Sequence, residues 1–228
     1  MNQRPFFFAS MCLLGMSAVV NSRMLGQSTT APRFRWSERL AHELRYQHTI
    51  ANANEQTPKD REELLEFVFN RFKHPVNTHD AEMFEDISDE QLRKLAANTR
   101  IEPFNLNGDS KAEIIAQGNG LGPCGATGNC IVLVLKITPE GIETLLDSRA
   151  GKSGGGFEKI RVLDTSTNGF RDIILASHVS ASDRTLEVFR FVDGKYKTSA
   201  CYYATTQPAG DPEGSRQPVI SRGCPGEK

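Results

Sequence analysis

One tryptophan in 228 residues, aromatics at only 8% and a formal charge of −1 deny this chain what several function classes need. There is no basic run interleaved with aromatic residues, which argues against nucleic acid and against a general binder of anionic membranes. The chain has no Asn-x-Ser/Thr sequon, so nothing marks it for N-glycosylation. Long apolar runs are confined to one place, the extreme N-terminus.

That run identifies an export signal. Arg4 supplies a positive start, and residues 6–20 form a charge-free apolar stretch of signal-peptide length. A spanning helix would need about 20 apolar residues. Small residues around Ser22 place the expected cleavage there, with Gly26 as a second site. The sequence therefore predicts a signal peptide over 1–22, a flexible segment over 23–36, and a secreted or periplasmic chain without a membrane span once the signal is removed.

Export decides how the cysteines are read. Cys12 leaves with the signal, and Cys124, Cys130, Cys201 and Cys224 remain. Four cysteines in an oxidising space read as two disulfides with three connectivities. The favoured pairs are Cys124–Cys130, closing a glycine-rich loop, and Cys201–Cys224, pinning the tail. A zinc site is the rival, but five residues separate Cys124 from Cys130, and oxidation removes the ligands.

Composition changes near residue 100. Before it the pattern is helical, with helices expected over 37–50, 57–73 and 88–98. Thr57 followed by Pro58 is a capped entry, and Ser88 with Gln91 makes a capping box. Leu64, Leu65, Phe67, Val68 and Phe72 form one apolar face, Leu92, Leu95 and Ala96 another, and His74-Pro75 stops the second helix. Phe34 and Trp36 are placed to staple the first. The period then falls to two: residues 131–135 are continuously apolar and 186–192 alternate. Asp193-Gly194 and the Pro139-Glu140-Gly141 stretch read as hairpin turns. The expected fold is α+β, a helical region over 37–98 packed on an antiparallel sheet of six to eight strands over 99–203, followed by a turn-rich tail over 204–228.

Two stretches of the β region look alike. Asn107-Gly108 leads to Glu113-Ile114-Ile115, and Asn168-Gly169 leads to Asp172-Ile173-Ile174, each followed by a strand and a glycine-containing hairpin. An internal duplication of units over about 104–147 and 163–203 is expected. The stretch from Asn105 to Ile115 resembles the loop and first strand of FG-GAP/VCBS-type repeats of secreted proteins. That resemblance implies propeller-blade strands and calcium held by Asn105, Asn107, Asp109 and Glu113. The residues also read as a metal-free Asx-type turn before a strand. Asn105 and Asn107 offer neutral oxygens, and Ser110 stands where glycine eases the turn. Two units fall short of a closed propeller.

Catalytic patterns fail on context. Gly120, Gly122 and Gly125 spell a dinucleotide pattern but precede a strand. Ala150-Gly151-Lys152-Ser153 lacks the leading glycine of a phosphate loop, and His42 lacks a second histidine four residues on. Gly151-Lys152-Ser153-Gly154-Gly155 fits a nucleophile elbow, with Asp164 or Asp172 and then His178 in hydrolase order, but a glycine run into a strand follows it. The expected function is a non-catalytic exported binding or interaction module for a protein or small molecule outside the cytoplasm. The alternative is a secreted serine hydrolase using Ser153.

Overall fold

The structure is a computed structural model that describes residues 41–44, 46–54, 56–120, 123–125, 128–149, 156–180, 183–205 and 219–223. All belong to one unit, Ser37–Lys228. The signal segment, Phe34, Trp36, Lys152, Ser153 and Cys224 lie outside the described residues.

The helical layer forms where caps and apolar faces coincide. In α1 (Pro58–Lys73) Thr57 accepts the amide of Asp60 at the N-cap, Pro58 opens the first turn, and Leu64, Val68, Phe69 and Phe72 are buried. In α3 (Asp89–Ala97) Ser88 and Gln91 form the expected capping box, and Leu92 and Ala96 are buried. Between them lies a helix the hydrophobic pattern does not show, α2 (Thr78–Phe84), whose cap Asn77 accepts the Asp80 amide.

Residues 41–44 and 46–50 correct the expectation of a first helix over 37–50. Ala41–Glu43 is strand β1 and His48–Thr49 is strand β2, followed by a 3-10 turn over Ile50–Asn52. β1 pairs with β7 (Lys159–Thr167), and β2 pairs with β3 (Arg100–Phe104). Helix propensity differs by only a few tenths of a kcal/mol per residue. The open edges of two sheets outweigh it here.

In place of one sheet there are two. After β3 come β4 (Glu113–Gln117), β5 (Val132–Thr138) and β6 (Gly141–Asp147), and the five-stranded sheet runs β2-β3-β4-β5-β6. After β7 come β8 (Phe170–His178), β9 (Asp183–Val192), β10 (Lys195–Thr205) and β11 (Val219–Arg222), and the six-stranded sheet runs β1-β7-β8-β9-β10-β11. Every pairing is antiparallel. β11 lies inside the stretch expected to be turn-rich. Its four residues pair with Tyr202 to Thr205 and end a few residues short of Cys224.

Alternation along β4 and β5 explains the layering. Ile114, Ala116, Leu133 and Leu135 join the helical core with Leu64, Phe72 and Leu92. Ile115, Val132 and Val134 point the other way and meet Ile160, Val162, Ile173, Leu175 and Phe189 of the six-stranded sheet. The order is therefore helices, five-stranded sheet, six-stranded sheet. A strand buried on both faces is apolar throughout, which is why residues 131–135 carry no polar side chain. Leu133→Ala and Ile115→Ala should each destabilise by about 2–5 kcal/mol. Urea unfolding checks this, and a cost below about 0.5 kcal/mol for either would mean that its face is open to water.

Candidate functional site

Topology makes the two ends of the sandwich unequal. One end is closed by the loop 105–112 and the turns 139–140, 168–169 and 193–194. The last two are tight turns with both central residues at positive φ, Asn168 at 50° and Gly169 at 83°, Asp193 at 52° and Gly194 at 78°. At the other end β4, β6, β8 and β10 finish, each separated in sequence from the next strand by residues 118–131, 148–158, 179–182 and 206–218. Backbone bonds tie the two sheets together there, Cys130 N to Phe157 O at 3.0 Å and Phe157 N to Cys130 O at 2.8 Å.

At the turn end the structure brings together all four residues of the calcium reading. Asn105 Oδ1 accepts the Gly108 amide at 2.6 Å, and Asn107 Oδ1 accepts the Asp109 amide at 2.9 Å. The Asp109 carboxylate accepts the Lys111 amide at 2.7 Å and the Asn107 amide group at 2.7 Å. Glu113 accepts the Leu106 amide at 3.0 Å and the Asn107 amide group at 3.0 Å. The side-chain oxygens of the loop therefore take hydrogen bonds from the loop itself. The Lys111 amide, then Asn107, holds the Asp109 carboxyl below its usual range. Among the described residues no group of three or more His, Cys, Asp or Glu is placed to hold a metal ion.

The similar stretch after Asn168-Gly169 holds its turn with other groups. Asp172 is 3% exposed and accepts the hydroxyls of Thr165 and Thr167 at 2.8 and 2.7 Å. Tyr196 lies between the two acids. Burial, then the charges of Glu113 and Asp172, push its phenol up, and its hydroxyl donates to Arg171 O at 2.8 Å.

A buried ion network joins the helices to β6. Arg71 Nε is 2.5 Å from Asp147 Oδ2, its amino nitrogen is 3.0 Å from Asp80 Oδ2, and Arg149 reaches Asp80 at 3.4 Å. Two cations and two anions balance, and Asp80 is fully buried. Burial pulls Arg71 down, but its bonds to Asp147 and Asp80 raise it overall, while burial lowers Arg149. Arg71 and Asp80 lie 76 and 67 residues before Asp147, which has Arg149 as a near neighbour, and no local pattern could have shown the two pairs together.

At the loop end a second polar cluster forms. His178 Nε2 lies 2.8 Å from Glu158 Oε2, and Arg184 Nε lies 3.5 Å from the same oxygen. Asn129 clamps the strand end below them, donating to His178 O and accepting from His178 N, both at 2.8 Å. Asn129 is held by the Cys124–Cys130 disulfide, whose Cα atoms are 3.9 Å apart. It is also pressed by Gly156, where a β-carbon would come within 2.4 Å of Asn129 O. Cys201 is disulfide-bonded as well. Gly223 N donates to Cys201 O at 2.9 Å, so the β10–β11 register brings the chain to Cys201 one residue before Cys224.

Neither acid of the hydrolase reading stands beside His178. Asp164 pairs with Arg171 at 3.7 Å. Asp172 sits at the opposite end of β8 from His178, roughly 20 Å away at about 3.3 Å per residue. The carboxylate beside His178 is Glu158, which the order of residues had not singled out. His42 and His48 fall in separate strands, which removes the zinc-helix pattern. Among the described residues no helix is long and apolar enough to cross a membrane. Compared with family models, curated proteins and solved structures, the chain finds no match.

Glu113 offers a pH test of the turn-end lock. Burial raises its carboxyl above the usual range, against the Leu106 amide, which lowers it. A carboxyl raised by folding adds stability below its unfolded value, and that contribution is lost as pH rises through the folded value. The wild-type advantage over Glu113→Gln in urea midpoint should therefore shrink between about pH 4 and pH 7. An advantage that grows over this range would show that the ionised form is the one the loop prefers.

Proposed function

We propose that the chain is an exported, non-catalytic binding or interaction module that meets its ligand with the loop end of the sandwich. The inequality of the two ends carries this reading. Long connections gathered on a rigid two-sheet frame are where proteins place recognition, and here a disulfide, the Asn129 clamp and the Gly156 contact hold their roots. The signal segment and the paired cysteines support a secreted or periplasmic location. The ligand is a protein or small molecule outside the cytoplasm.

The same reading treats the two sheets as a duplication. β3 to β6 and β7 to β10 are each four consecutive antiparallel strands. The first isoleucine of each Ile-Ile pair faces the preceding layer, Ile114 the helices and Ile173 the first sheet. Each pair follows a buried acid that holds its turn. This supports the kinship with FG-GAP/VCBS-type units, with the helices standing where a preceding unit would be.

Two experiments test these statements. A thermal-shift screen of the mature chain against glycans, peptides and small anions should give stabilising ligands whose effect is lost in His178→Ala/Arg184→Ala and kept in Asp193→Ala. Loss in Asp193→Ala alone would move the site to the turn end, and ester turnover abolished by Ser153→Ala would sink the non-catalytic reading.

For the loop 105–113 we expect a metal-free turn. A site saturated about 100-fold would add about 2.7 kcal/mol, worth roughly 5 °C or more in this size range. Thermal unfolding in calcium and in chelator should differ by less than about 1 °C by the same relation. A rise of several degrees that Asp109→Ala removes would make the loop a calcium site.

A further inference from the structure

We propose that the groove between α1, α2 and α3 docks a basic segment of a partner protein, with an apolar side chain of that segment seated on Phe84 and Leu92. The inference rests on the interaction-module reading but uses a face remote in sequence from the loop-end cluster. The cavity, of about 570 Å³, is lined by residues from the end of α1, from α2 and from the start of α3. Its floor is apolar: Phe84 and Leu92 are buried parts of the helical core, and Ile87 is half-buried. Val76 follows the lining residue Pro75 and is 49% exposed, which makes it one of two exposed large apolar side chains among the described residues.

The rim has one sign. Residues 81–90 hold five acidic side chains and no basic one. The single cation of the lining, Lys73, is 2.5 Å from Asp89 and so already neutralised. Lys94 is bound to Glu90 at 2.7 Å and Arg93 to Glu66 at 2.9 Å. Glu82, Glu85 and Asp86 are exposed and have no cationic partner among the described residues. An apolar floor beneath uncompensated carboxylates is complementary to a segment that alternates Lys or Arg with leucine-like residues. The charges speed and orient the encounter, and the apolar contact holds it. An acidic or purely polar segment gains neither.

The probe is a fluorescein-labelled octapeptide alternating Lys and Leu, followed by anisotropy, with Lys/Ser and Glu/Leu octapeptides as comparisons. We expect the Lys/Leu peptide to bind and the other two to bind at least about tenfold more weakly. Glu82→Lys/Glu85→Lys should weaken binding by about tenfold or more, as should Ala81→Trp, which fills the groove from an exposed helix position. Circular dichroism confirms that both variants fold. Equal binding of the Lys/Ser peptide, or binding unchanged in both variants, overturns the proposal. Self-association of the chain that the same substitutions abolish also overturns it, by giving the groove to a second copy. His178→Ala/Arg184→Ala should leave peptide binding intact, so failure here and failure of the loop-end reading are separable.

Discussion

Burial of β4 and β5 on both faces is the constraint on which the rest of the molecule depends. Ile114, Leu133 and Leu135 need a cover on one side and Ile115, Val132 and Val134 on the other. A single antiparallel sheet could not supply both. The helices pack on the first side because α1 and α3 each have one apolar face to hide. The second four-strand meander packs on the other, presenting Ile160, Val162, Ile173 and Leu175. Apolar burial, at about 25 cal/mol per Å², is the dominant favourable term in folding, and both layers contribute to it through these two strands.

Once the layers are set, edges become the next problem. β3 and β7 open their meanders and would each leave a row of unpaired backbone groups. The residues before α1 answer both, β1 closing on β7 and β2 on β3, and this explains why a stretch with helical composition is extended. At the far edge, β11 covers β10. The ion network of Arg71, Asp80, Asp147 and Arg149 then joins the helical layer to β6. A network this buried is costly to break at one partner, by about 3–5 kcal/mol, yet adds little net stability over apolar packing. Its role is to set where α1 and α2 sit against the sheet.

How much of this the chain shows before folding depends on how local the signal is. Caps at Thr57 and Ser88, the Asp193-Gly194 turn and the apolar run of β5 are written in neighbouring residues and are read correctly. α2 escaped because seven residues carry too little periodicity, although Asn77 followed by Asp80 is a cap signal. β1 and β2 escaped because edge pairing is decided by strands more than fifty residues away. The Asn105, Asn107, Asp109 and Glu113 loop was legible as a unit because the hydrogen bonds of these four side chains stay inside the loop. The cluster of Glu158, His178, Arg184 and Asn129 was not, since β7, β8, β9 and the disulfide loop must all be in place before those side chains meet.

The two buried acids show why resemblance and chemistry can part. A carboxylate near the start of the second strand of each meander holds the turn before it, Glu113 through a backbone amide and an asparagine, Asp172 through two threonine hydroxyls. A divalent ion would have to compete with donors already in place, and taking Glu113 from the buried Leu106 amide would leave that amide unsatisfied at a cost of about 1–3 kcal/mol. Donors on the loop's own backbone and side chains are always present at the same effective concentration, whereas an ion must be recruited.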